Sequence, residues 1–349
     1  MGLTPQTAPM AVADIDPALL ASLPAGAISA LSLPFGTMAS GAEIALAVTV
    51  ARGARPGPCL WISGQVHGDE LNGLIAALDF IRTLPLDQLS GTIVLSATAN
   101  PLALDARRKR NPWDDLDLDH SFPGHAGGMM TERLAARLFP SVAACADVLI
   151  SMHAMNSICD SDPFGVYKPP PAGSIVTEAQ QWRLMAQFGL HYLCVMPVHD
   201  RPGELPGHIA GGLDYQMILR GKPAVMVELG AGGRADAAHI AQGVRGLTNV
   251  ARLMGLLEGE PAPVAPRVRV SRYDHVTCDS GGLFRRLANP GEALAAGQAY
   301  GEIVDLYGRV VERPALARAA HLIGVRRDPV VHTGDRVSFV ASEWTDIEA

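Results

Sequence analysis

Cysteine is scarce in this chain and is not spaced for chemistry. The five thiols, at positions 59, 145, 159, 194 and 278, are an odd number without a Cys-x-x-Cys or Cys-x-His pair. That excludes a disulfide framework and a thiolate metal knuckle, and it reads as reduced, mostly buried cysteines in a cytoplasmic protein. No apolar run reaches the ~18 residues that cross a bilayer. The first 25 residues are Ala- and Pro-rich with Asp14 and Asp16, and lack the basic and apolar regions of a secretory leader. Basic residues are in deficit: the formal net charge is −7, and the one basic run is Arg107-Arg-Lys-Arg110. A nucleic-acid surface and a membrane partner are therefore not expected. Gly-x-Ser-x-Gly and the phosphate-binding Gly-x4-Gly-Lys-Ser/Thr are both missing, which argues against a serine nucleophile elbow and a P-loop.

What is present is a well-packed composition, 48% hydrophobic and 18% charged over 349 residues, enough for one large domain and a smaller one. Residues 28–33 and 43–51 read as a first hairpin turning at Pro34-Phe-Gly36. Strands follow at 58–63, 91–97, 147–152, 191–196 and 224–229. They alternate with helical patterns at 71–84, near 130–145, 175–188 and 208–220, and at 236–257. This alternation predicts an α/β fold, a mixed and mostly parallel sheet flanked by helices, over residues 1–257 with 1–25 extended. Glu258 to Pro266 is a Pro-rich linker. Residues 267–349, with short β-like runs at 267–273, 301–306, 323–326 and 337–340, predict a small all-β domain.

The stretch Ser63-Gly-Gln-Val-His-Gly-Asp-Glu-Leu-Asn-Gly73 joins a buried strand to a helix, at the sheet edge where ligands of such folds bind. His67 and Glu70, three residues apart, can reach one metal ion; the bland alternative is a helix cap at Asp69 beside an incidental histidine. His153 occupies a matching place just past the strand 147–152. Two histidines and a glutamate leave zinc an open position, as catalytic sites do. Glu228 ends the apolar run Ala224–Val227, where an unpaired carboxylate is costly. It is either salt-bridged or a general base taking a proton from metal-activated water. The long charged segment 100–124 reads as a functional loop whose cation could steady an oxyanion. Phe164, Tyr167, His199-Asp-Arg201 and Gly203 to Gly212 are weaker candidates for the pocket wall.

In order and spacing, His67-x-x-Glu70, Asn100-Pro101, the block Asp117 to Gly124, His153 and Glu228-Leu-Gly230 resemble the aspartoacylase / succinylglutamate desuccinylase family, zinc deacylases related to the zinc carboxypeptidases. The resemblance spans most of the chain. It implies a carboxypeptidase-like sheet with a β-rich module near the entrance. It also implies one Zn²⁺ per chain on His67, Glu70 and His153, with Glu228 as the catalytic carboxylate. By register the family's oxyanion-stabilising arginine falls on Lys109, and Arg108, Lys109 and Arg110 all stay candidates. Where the family reads Asp-Leu-Asn-Arg, its Asn and Arg holding a substrate carboxylate, this chain reads Asp117-Leu-Asp-His120. A permanently charged fork is lost and a negative charge added.

Asn100, Asp117, Asp119 and His120 are thus the substrate-binding candidates, with Asp119 and His120 suited to an amine, amide or hydroxyl. The function expected is a zinc-dependent amide hydrolase releasing an acyl group from a small N-acylated amine or amino-acid derivative. The alternatives are a carboxypeptidase-like peptidase and a non-catalytic zinc or small-molecule binder. A homo-oligomer is a base-rate expectation only.

Overall fold

Along Cys59-Leu-Trp-Ile62 successive side chains point to opposite faces of one strand, and all four are buried. Such a strand needs cover on both sides. The computed structural model, which describes residues 8–198 and 209–347, supplies it as two helical layers. In chain order the strands begin β1 (Met10–Ala11), β2 (Ala27–Thr37), β3 (Glu43–Arg52), β4 (Arg55–Ser63), β5 (Ser90–Ser96), β6 (Val148–Met155), β7 (Cys159–Ser161), β8 (Phe164–Tyr167), β9 (Tyr192–Val195) and β10 (Ala224–Ala231). They continue β11 (Val268–Thr277), β12 (Gly282–Arg286), β13 (Ala293–Leu294), β14 (Gly301–Val304), β15 (Val310–Glu312), β16 (Ala320–Arg326), β17 (Val330–Val331) and β18 (Arg336–Asp346). The helices are α1 (Pro17–Ser22), α2 (Asn72–Arg82), α3 (Pro101–Ala106), α4 (Met130–Cys145), α5 (Glu178–Met185), α6 (Leu213–Ile218) and α7 (Ala237–Leu253).

The main sheet has the order β1-β2-β3-β5-β4-β6-β10-β8-β9-β11-β18-β16-β13, with β7 on β16. Its centre, β5-β4-β6-β10, is parallel. The β2–β3 hairpin, β8 against β10, and the strands from β18 onward are antiparallel. The expected α/β class, with a β-rich C-terminal part, is what the chain forms. β9 pairs with β11 across the segment 258–266, so the C-terminal strands extend the same sheet. A second sheet, β15-β14-β12-β17, packs Phe284 and Ile303 against Leu322 and Val340 of β16 and β18. One core lies between the main sheet and α1, α4 and α6, around Trp61, Leu134, Leu138 and Leu213. The other lies beneath α2, α5 and α7, around Ile62, Phe80, Leu184 and Val250. Among the described residues no helix is long and apolar enough to cross a membrane, and all five cysteines are free and buried.

Several local expectations change. The first hairpin turns at 38–42, not at Pro34-Phe-Gly36. Met38 and Ala42 close the turn with a backbone bond, and β2 passes through Pro34 with a register shift before Gly36, where a missing donor is tolerated. The N-terminal segment, expected to be extended, contains β1 and α1. Asp16 caps that helix by accepting from Leu19 N–H, with Pro17 at its first position. The segment 100–124 is not wholly loop: it holds α3 and a 3-10 turn, Leu118–His120. β6 and β10 each run past the expected ends, pairing with one another, so His153 lies inside β6 rather than beyond it and Glu228 stands further from the end of β10 than expected.

Helix α2 buries Ala76, Ala77, Phe80 and Ile81 on one stripe. Gly73, in its first turn, touches β6: a Cβ there would stand 2.5 Å from Met152 Cβ. Gly73→Ala is therefore expected to cost about 1–3 kcal/mol through overpacking, whereas Gly36→Ala, with open space around it, should stay within about 0.5 kcal/mol. Equilibrium unfolding in denaturant checks both.

Candidate functional site

The turn after β4 is fixed by its own backbone. Gly64 N–H donates to Ser96 O, Gly68 N–H to Arg108 O at 2.8 Å, and Glu70 N–H to His67 O at 3.1 Å. A Cβ on Gly68 would fall 1.8 Å from Ala103 O, so only glycine lets this turn lie against the end of α3. Asp69 does not cap α2. Its Oδ2 accepts from Ser157 N–H instead, and the cap position is Leu71, without a side-chain bond.

The turn presents His67 and Glu70 to His153 on β6. Glu70 Oε1 is 2.8 Å from His67 Nδ1, and Oε2 is 3.1 Å from His153 Nδ1. All three side chains are buried, and one ligand atom from each lies within 4.8 Å of the others. The far nitrogens are engaged from behind, His67 Nε2 at 3.0 Å from Asp117 Oδ1 and His153 Nε2 at 3.1 Å from Ser151 Oγ. That is how outer contacts orient metal-ligating imidazoles.

The electrostatics ask for a cation. Burial alone would keep His67 neutral, but Glu70 and Asp117 push it up to about 10. His153 is also raised against its burial, by Glu70 and Asp119. Glu70 and Asp117 sit far below the usual carboxylate range despite burial, held there chiefly by His67. Two imidazoles and a carboxylate suit zinc, and such sites keep a position open.

Glu228 stands in register beside His153 on the parallel neighbour β10. It is half-buried, and its Oε2 has no hydrogen-bond partner among the described residues. Burial, and then the negative charge of Glu70, push it up to about 7.

Of the three cations proposed for the oxyanion, Lys109 places its ammonium among the carboxylates, 3.7 Å from Asp117 Oδ2. Arg110 turns to Asp115 at 3.4 Å, and Arg108, exposed, contributes its backbone carbonyl to the Gly68 contact. Asn100 is buried, and its Oδ1 caps α3 by accepting from Ala103 N–H. Asp117 backs His67 and also accepts from Asp119 N–H. Asp119 is buried 4.0 Å from His153 Nε2, its Oδ1 without a hydrogen-bond partner among the described residues. His120, beside it, is half-buried.

Phe164 is in register with Glu228, and its ring packs 5.6 Å from Phe339 of β18. Phe339 in turn stacks on His275 and meets Tyr273 edge-on. Tyr167 belongs to the core beneath α5 and α7. His199, Asp200, Arg201 and residues 203–208 lie outside the described residues.

Two groups escaped the sequence reading. Lys168 Nζ and Asp214 Oδ1 form a buried ion pair at 2.6 Å; the available signal was a lysine directly after the apolar run Phe164 to Tyr167. His275 and Phe339 carried no local signal, because their neighbours come from distant strands.

The family model described as the succinylglutamate desuccinylase/aspartoacylase catalytic domain matches residues 56–254. The N-alpha-acetyl-L-2,4-diaminobutyric acid deacetylase of Halomonas elongata is 28% identical over 324 residues, covering 89% of this chain and 90% of that protein. The product-bound ectoine utilization protein EutE (DoeB) of Ruegeria pomeroyi superposes with a TM-score of 0.78 at 24% identity, over 91% of this chain and 97% of that one. A succinylglutamate desuccinylase/aspartoacylase from Rhodobacter sphaeroides gives 0.76 at 23% identity, over 92% and 96%. The span matched by the family model takes in more than half of the chain and everything from His67 to Glu228. The chain therefore belongs to the succinylglutamate desuccinylase/aspartoacylase family, whose members hydrolyse amide bonds.

Proposed function

We propose that this protein is a zinc-dependent deacylase acting on a small N-acylated amine that carries a second, free amine. The observation behind the chemistry is Glu228 Oε2, without a hydrogen-bond partner among the described residues, on the strand next to the buried His67–Glu70–His153 set. His67, Glu70 and His153 would hold zinc, which when bound would supply a Lewis acid for the amide carbonyl and for water. Glu228 takes the proton of the attacking water and returns it to the leaving nitrogen, a task suited to a carboxylate raised toward neutrality. Lys109 is the cation that offsets charge developing on the carbonyl oxygen.

The substrate class follows from Asp119. Its buried Oδ1 has no hydrogen-bond partner among the described residues, with His153 Nε2 standing 4.0 Å away; leaving it so is costly, and a substrate ammonium is the partner that charge calls for. The Halomonas relative is named for a substrate with an acetylated α-amine, a carboxylate and a second amine. The same class supports this reading here, an N-acylated diamine or diamino acid, in place of a substrate clamped through its carboxylate by Asn and Arg.

Purified protein is expected to retain about one zinc per chain, as three-ligand sites do. His153→Ala and Glu70→Gln should lose it. Glu228→Gln should keep the metal while kcat drops about 10²- to 10⁴-fold; turnover equal to the parent would instead favour a binding protein. Metal analysis and steady-state hydrolysis of one N-acetyl diamine read out both.

Paired substrates test recognition. An N-acetyl diamine should show a KM about tenfold or more below that of the same amide with the free amine replaced by methyl, roughly 1.4 kcal/mol of binding. A strong dependence on the α-carboxylate, with no effect of the amine, would sink the Asp119 assignment.

A further inference from the structure

Lys168, directly after β8, buries its ammonium 2.6 Å from Asp214 Oδ1, and both side chains are 1% exposed. Desolvating such a pair roughly cancels its mutual attraction, so stability alone does not explain it. The pair lies at the bottom of a column of close contacts. A Cβ on Gly212 would stand 2.5 Å from Lys168 Nζ and 2.8 Å from Asp214 Oδ1. One on Gly211 would stand 2.3 Å from His120 O, and Phe122 N–H donates to Gly211 O at 3.0 Å. The turn Asp117–Phe122, which carries Asp119, therefore rests on Gly211 and Gly212, and these rest on the ion pair. Through Lys168 the column is anchored to β8, the strand whose Phe164 is in register with Glu228. Asp214 first, then Asp119, keeps Lys168 charged against its burial.

We propose that Lys168 and Asp214 are the positioning pair of this turn, setting the place of Asp119 beside His153 and so the preference for amine-bearing substrates. The inference rests on the reading of Asp119 as the ammonium's partner. Removing Lys168 frees the floor under Gly212 and lets the turn settle. Among the described residues Lys168 makes no hydrogen bond or ion pair to the metal-ligand candidates or Glu228, and its charge, which also acts on Asp119 and Glu228, is kept in Lys168→Arg.

The test compares zinc-loaded parent, Lys168→Arg, Lys168→Met and the double variant Lys168→Met/Asp214→Leu. The double variant strands no buried charge and guards against misfolding of the single one. KM and kcat, per bound zinc, are measured for an N-acetyl diamine and its methyl counterpart, and calorimetry measures binding of the free diamine. Both Met variants are expected to raise KM and Kd for the amine-bearing molecules about tenfold, with kcat per zinc and the counterpart's KM moving less than about threefold, while Lys168→Arg stays near the parent. A merely structural role would lower kcat for both substrates together and leave their KM ratio intact, which overturns the proposal, as does a parental preference in the double variant. A parent without any amine preference overturns the Asp119 reading and this inference with it; a parental preference that survives in the variants overturns this inference alone.

Discussion

Glu70 faces two buried imidazoles at once, and the rest of the site is arranged to permit it. Its two oxygens meet His67 and His153, and the second also accepts from Ala154 N–H. A buried carboxylate is tolerated only when its charge is matched, so this side chain needs the β4 turn, the start of α2 and β6 in fixed relation. Gly64 against Ala97, Gly68 against α3 and Gly73 against β6 are close approaches where an added Cβ would force a shift.

The same geometry places two glutamates in opposite environments. Glu70 lies between imidazoles and is driven deep into its ionised form, while Glu228 feels burial and the charge of Glu70 and is lifted to about 7. Environments that push like groups apart suit the proposed division of metal ligand from general base. Parallel pairing makes that division possible, since register partners on β6 and β10 put His153 and Glu228 side by side on one face.

The C-terminal strands take part through continuity rather than through a separate site. Pairing of β9 with β11 carries the sheet onward, and the β11–β18 ladder brings Tyr273, His275 and Phe339 to Phe164. An aromatic wall thus stands beside the strand of the proposed base.

The sequence by itself determined the layered α/β architecture, because buried parallel strands read as apolar runs between helical periods. It also determined the three metal-ligand candidates and Glu228, because buried polar residues at strand ends stand out against apolar neighbours. It misplaced the ends of β6 and β10, which depend on mutual pairing, and it took Asn100-Pro101 for part of a loop although an Asn cap followed by proline is a helix start. Of the three neighbouring cations it left open, Lys109 is the one that lies 3.7 Å from Asp117 Oδ2, beyond the point where Arg107 ends α3 in a left-handed conformation. The Lys168–Asp214 pair joins residues 46 positions apart, and the aromatic wall joins strands further apart still. Only the tertiary structure decided these, since local pattern records which side chains are buried but not which distant chain segment they meet.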